Sequence, residues 1–154
     1  MAKTGYSVVS PAVSLSANTA RSVLGVLAPS SFGLEVKKIR VSTLGTAVAV
    51  PGDIQLCAAT FASNLPGTAS TSVTPQQLYG RSIPAAFTAA HTWTSEPTEL
   101  VVLDAWSLSP NSGTVLYDLP LGDSPDCGPG TGFVLRARFA DAVSVAATLW
   151  VERC

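Results

Sequence analysis

Two stretches near the C-terminus, Phe133-Val134-Leu135-Arg136-Ala137-Arg138-Phe139 and Val143-Ser144-Val145-Ala146-Ala147-Thr148-Leu149-Trp150-Val151, decide how the chain is read. In the first, Phe133, Leu135, Ala137 and Phe139 share one parity while Val134, Arg136 and Arg138 take the other. This is the period-two pattern of a strand with one buried face. In the second, Val143, Val145, Ala147, Leu149 and Val151 fall on one face, and Ser144, Ala146, Thr148 and Trp150 on the reverse. With Asp141 and Ala142 as the turn, the pair reads as a C-terminal hairpin. If Leu149 and Val151 are core, Trp150 points outward and calls for a cover of its own.

The same alternation, punctuated by Pro and Gly, runs back toward the N-terminus. Leu100 to Leu108 is apolar on both parities, which predicts a strand covered on both sides and leaves Asp104 in need of a partner. Pro110-Asn111-Ser112-Gly113 is turn chemistry leading into Val115 to Leu119, a second expected hairpin. Leu34 and Val36 lie on one parity but Ile39 and Val41 on the other, so a β-bulge at Lys37-Lys38 is needed to keep all four inside. Ile54 to Phe61 reads as a further strand and Ala86 to Trp93 as a weaker one. Tyr6 to Leu15 reads as an edge strand, because Pro11 has no N–H for a central ladder. Thr19 to Leu27 admits a helix capped by Asn18, with Val23, Leu24 and Leu27 on one face, but Gly25 and Val26 favour a strand. Leu65 to Ile83, rich in Ser, Thr, Gly and Pro, reads as a long loop or flap. The sum is one all-β domain over residues 1–154, an antiparallel β-sandwich or jelly roll of about eight strands, with residues 1–20 as an N-terminal arm or edge strand.

Composition narrows the function. Only 12% of the 154 residues are charged, against roughly 25% in an ordinary soluble domain. Nine Lys and Arg against ten Asp and Glu leave no basic face for a row of phosphates, so nucleic acid is not an expected partner. Apolar runs are broken by Arg21, Gly25, Pro29, Pro51 and Asp104 well short of the ~18 residues a membrane span needs. Ser10, Pro11, Ser14 and Ser16 interrupt any signal-peptide core, so neither a membrane partner nor a cleaved signal is expected. Cys57, Cys127 and Cys154 are odd in number and form no C-x-x-C pair, which argues for reduced thiols rather than a disulfide framework or zinc site. No N-x-[ST] acceptor is present.

Candidate chemistry is sparse. His91 is the one histidine, so a His cluster is impossible and any hydrolytic dyad would rest on it alone, without a G-x-S-x-G elbow nearby. Asp118, Asp123 and Asp126 among Gly122, Gly128 and Gly130 offer oxygen ligands of the kind calcium takes, but not at EF-hand spacing, and read more simply as loop formers. Gly128 to Gly132 leads into a strand, whereas a phosphate cradle opens a helix. Trp93, Trp106 and Trp150 could line a sugar platform, or serve core and subunit packing. Cys57 reads as a small buried residue and Cys127 as a loop thiol. No catalytic residue, metal ligand or cofactor is expected, and the chain reads as non-enzymatic. A carbohydrate-binding jelly roll and a small hydrolase are the alternatives.

From about Ser22 to Glu152 a series of short elements occurs in a telling order: Val23-Leu24-Gly25-Val26-Leu27-Ala28-Pro29, Lys37-Lys38-Ile39-Arg40, Gly45-Thr46-Ala47, Pro51 with Ile54-Gln55-Leu56, Gly67-Thr68, Thr74-Pro75, Trp93-Thr94-Ser95-Glu96-Pro97-Thr98, Pro110-Asn111-Ser112-Gly113, Pro120-Leu121-Gly122, Gly132-Phe133-Val134-Leu135-Arg136 and Trp150-Val151-Glu152. In that order they resemble a group of small phage and prophage head proteins. The resemblance implies a jelly-roll-like β fold and a decoration or cement protein on the virion's capsid surface, made in the host cytoplasm. Its partners would be the major capsid protein and further copies of itself, grouped in threes. Members of the group often end in two acidic residues, where this chain has Glu152-Arg153-Cys154. A surface poor in charge lowers the desolvation cost of burial against neighbours, and a closed ring would satisfy open strand edges. The expected homotrimer interface draws on the N-terminal segment with Tyr6, Val8 and Val9, and on Trp93, Trp106 and Trp150.

Overall fold

The computed structural model describes residues 3–44, 50–111, 113–120 and 122–154. The Gly45-Thr46-Ala47 turn, Ser112 and Leu121 lie outside them. Among the described residues there is no helix, and there are thirteen strands: β1 (Gly5–Val9), β2 (Val13–Leu15), β3 (Arg21–Leu27), β4 (Leu34–Leu44), β5 (Gly52–Ala59), β6 (Thr71–Val73), β7 (Gln76–Tyr79), β8 (Thr88–His91), β9 (Leu100–Leu108), β10 (Thr114–Asp118), β11 (Asp126–Cys127), β12 (Gly132–Arg138) and β13 (Val143–Arg153). They form two antiparallel sheets. Sheet A has the order β10-β4-β13-β1-β7, with β2 also on β13 and β11 also on β4; sheet B has the order β6-β8-β3-β12-β5-β9.

The sheets pack face to face as a β-sandwich, and the alternation read from the sequence selects the inner faces. Phe133, Leu135, Ala137 and Phe139 are buried from sheet B and its continuation, and Val143, Val145, Ala147, Leu149 and Val151 from sheet A. Each large aliphatic or aromatic side chain so buried contributes about 1.5–3 kcal/mol. The expected bulge is present: Lys38 faces Trp150 and Val36 faces Val151, leaving Lys37 as the extra residue. Leu34, Val36, Ile39 and Val41 are all buried as a result. Thr19 to Leu27 resolves to strand, as β3.

Five expectations are corrected. The strands number thirteen rather than about eight, because Pro11 splits the N-terminal strand and because β6, β7 and β11 are two to four residues long in segments without alternation. The segment Leu65 to Ile83 is therefore not all loop. It carries β6 into sheet B and β7 into sheet A, joined by Thr74-Pro75.

Neither expected hairpin exists. β12 belongs to sheet B and β13 to sheet A, while β9 belongs to sheet B and β10 to sheet A. In fact no two described strands consecutive in sequence pair with each other. A connection of four or five residues is long enough to arch across the core, and period-two patterning fixes which face is buried but not which sheet a strand joins.

β1 is not an edge. It lies between β13 and β7, and Pro11 falls in the gap where the chain steps from β1 to β2 along β13. Ser10 fills that gap, its Oγ accepting from Ala147 N–H at 3.0 Å.

Finally, β9 is not covered on both sides. It is the outer strand of sheet B, and Val101, Val102 and Leu103 are 64%, 46% and 48% exposed. Asp104 is exposed too, and its Oδ1 accepts from Ala105 N–H, so no buried partner is required.

Candidate functional site

The sandwich has two broad faces and two narrow sides. One narrow side is formed by β9 and β10, which the chain links through residues 109–113; the other is formed by β6 and β7. Along the β9–β10 side, Val101, Val102 and Leu103 are joined by Leu116 and Tyr117, 58% and 40% exposed. The rings of Trp106 and Tyr117 span the gap between the sheets, with centroids 6.1 Å apart. Asp104, Trp106, Ser107, Val115 and Tyr117 line an open cleft of about 290 Å³ there. Trp106 is half-buried, and its Nε1 is shielded from solvent without an acceptor among the described residues. An unpaired buried donor costs roughly 1–3 kcal/mol, so this mouth is unsatisfied in the isolated chain. Natural sheets seldom leave a long apolar edge open, since it templates association.

The other sequence candidates fall in separate places. Tyr6 and Val8 face the core, with Tyr6 donating its hydroxyl to the Ile83 carbonyl at 2.8 Å and packing edge-on against Phe87. Trp93 is also buried, so these three are not presented to a partner. Val9 stands exposed on the outer face of sheet A. Trp150, half-buried on the same face, has the Arg40 guanidinium 5.4 Å from its ring centroid. That cation, drawn to the negative face of the indole, is the cover the sequence called for.

Trp93 explains an element the residue pattern left open. Phe61, Ala90, Trp93, Cys57, Ala59 and Val134 make a second small core on the outer face of sheet B, roofed by the loops at residues 60–70 and 92–99. Gly25 makes room for it: a Cβ there would lie 2.8 Å from the Trp93 ring. The Trp93 Nε1–H donates to the Asn64 carbonyl at 2.9 Å, and the Glu96 carboxylate accepts from Ser22 N–H and Oγ–H. Thus Trp93-Thr94-Ser95-Glu96-Pro97-Thr98 is a lid on the protein's own sheet. The three tryptophans occupy a lid, a mouth and an opposite face, which weighs against one sugar platform.

His91 ends β8, half-buried, with its Nδ1 2.8 Å from Thr92 Oγ1; burial holds its pKa below the usual histidine value. Asp118 pairs with Lys38 at 2.9 Å, and Asp126 lies in β11 opposite Glu35. Among the described residues no three His, Cys, Asp or Glu side chains are grouped as metal ligands. A cleft of about 320 Å³ between Ser14, Ser16, Ser22, Thr92 and Arg21 has the buried Trp93 as its floor. Cys57 is buried, Cys127 half-buried and Cys154 exposed; burial pushes all three thiols above their ordinary range.

One polar cluster escaped the sequence reading. On the outer face of sheet A, Glu35 and Glu152 are cross-strand neighbours. Lys3 reaches them at 2.7 and 3.2 Å, Lys37 pairs with Glu35 and lies 3.7 Å from Glu152, and Tyr79 donates its hydroxyl to Glu152 at 2.5 Å. Burial, then the Glu152 carboxylate, push the Tyr79 phenol up to about 12. Burial acts to raise the Glu35 carboxyl, but Lys3 and Lys37 outweigh it and hold the carboxyl below its ordinary value. The members come from positions 3, 35, 37, 79 and 152, and no spacing rule joins them. Comparison with known proteins gives no match to any family, curated protein or solved structure.

Proposed function

We propose that the protein is a non-enzymatic structural component of a phage particle, which decorates and cements the capsid surface as a homo-oligomer, a trimer by the sequence resemblance. The jelly-roll description belongs to this reading. The observation that supports it best is the row Val101-Val102-Leu103, largely exposed on an outer strand beside Leu116, Tyr117 and the unsatisfied Trp106 mouth. A chain with so few ionic groups and an apolar narrow side gains by burying that side against another surface, at about 25 cal/mol per Å² of apolar area removed from water. Light scattering of the purified protein at micromolar concentration, followed by co-sedimentation with capsids, tests this. A mass above the 15.8 kDa chain, together with saturable capsid binding, is expected. A lone monomer that leaves capsids bare would end the proposal.

A further inference from the structure

The two narrow sides differ in charge. Between Glu99 and Leu135 the chain carries Glu99, Asp104, Asp118, Asp123 and Asp126 and no Lys or Arg. Between Thr60 and Ser95 its one ionic side chain is Arg81. On the β9–β10 side Asp118 is paired with Lys38, which leaves Asp104 as an exposed acid beside the apolar row; on the β6–β7 side Tyr79 is bonded to Glu152 beside Lys3, which leaves Arg81 as an exposed cation. Asp104 and Arg81 are both exposed, and neither makes an ion pair among the described residues. The β6–β7 side also shows solvent an apolar residue, Leu78, 47% exposed, in the fully exposed β7.

Two copies meeting through the same β9–β10 side would bring Asp104 toward its own copy with no cation supplied for it. The ladder to β5 also slips beside Leu103: Leu56 faces Asp104 while Cys57 faces Val102. A bulge and a charge on an outer strand are the devices that prevent simple edge-to-edge strand addition. The side is therefore built to be covered by side chains of a different surface.

We infer that the β9–β10 side of one copy docks head to tail on the β6–β7 side of the next, with Asp104 facing Arg81 and Val101, Val102 and Leu103 covering Leu78. Such a heterologous contact closes into a ring when its rotation allows, which a self-facing two-fold contact does not. The inference rests on the self-assembly proposed above.

A charge exchange tests it. Both residues are exposed, so Asp104→Arg and Arg81→Asp should keep the wild-type circular dichroism spectrum. Sedimentation velocity across a concentration series then reads the assembly. Each single change is expected to weaken association by at least about tenfold, and the double variant D104R/R81D to recover most of the loss. Wild-type protein that sediments only as monomer overturns the self-assembly reading itself. Wild-type protein that assembles but is insensitive to either change, is not rescued by the exchange, or stops at a dimer retains self-assembly and overturns the head-to-tail contact.

Discussion

Trp93 shows how much one residue can settle. Its ring roofs the outer face of sheet B over Gly25, and its indole N–H is satisfied by Asn64. The chain reverses into it through Thr92, whose φ of 52° is in the left-handed region that a β-branched residue enters only at a cost. Truncation by Trp93→Ala removes the roof and is expected to lower stability by about 3–5 kcal/mol, measured by urea unfolding. The same change at Trp150, which lies at the surface beneath Arg40, should cost far less. The sequence shows a tryptophan in a Pro-bounded loop, but not that it would be buried. Its burial depends on Gly25, 68 positions earlier in the chain, and period-two reasoning carries no information about such a pairing.

At the scale of elements, faces were legible and partners were not. The parity break at Lys37-Lys38 foretold the bulge because Leu34, Val36, Ile39 and Val41 all had to face inward. The apolar character of β9 was equally visible, but it suggested double cover, whereas the strand is exposed at one rim of sheet B. Apolar residues on both faces of a strand have two causes, a buried centre or a surface reserved for another molecule. The sequence cannot separate them, because burial depends on what lies alongside. On the proposed reading, Val101, Val102 and Leu103 serve association more than folding. Replacing all three by Thr, a β-branched residue that suits a strand, is expected to shift the urea midpoint little, by under about 0.5 kcal/mol per site as for surface positions. The same variant should lose self-association in sedimentation velocity, and an unchanged oligomer would assign that task elsewhere.

Across the whole molecule, the ends of the chain are held by charge. Lys3, Glu35, Lys37, Glu152 and Tyr79 tie the N-terminal segment, β4, β13 and β7 together. Because the Glu35 carboxyl is held below the ordinary 4.5, its contribution is present above that value and is lost as pH falls through the depressed one. Tyr79 acts in the opposite sense. Its phenol is raised from 10.0 to about 12, so its contribution is present below pH 10 and is lost as pH rises toward 12. Urea unfolding across pH should show a plateau through neutrality with a decline on each flank. Tyr79→Phe should remove much of the alkaline decline while sparing the acid one; an identical alkaline limb in that variant would show that other groups set it.

Among the described residues the lid over sheet B has no counterpart on sheet A, where Val9, Leu116 and Arg40 meet solvent directly. The molecule is accordingly a tile with a finished top and an unglazed underside. Laid against any larger body, it presents different chemistry according to which way up it lands.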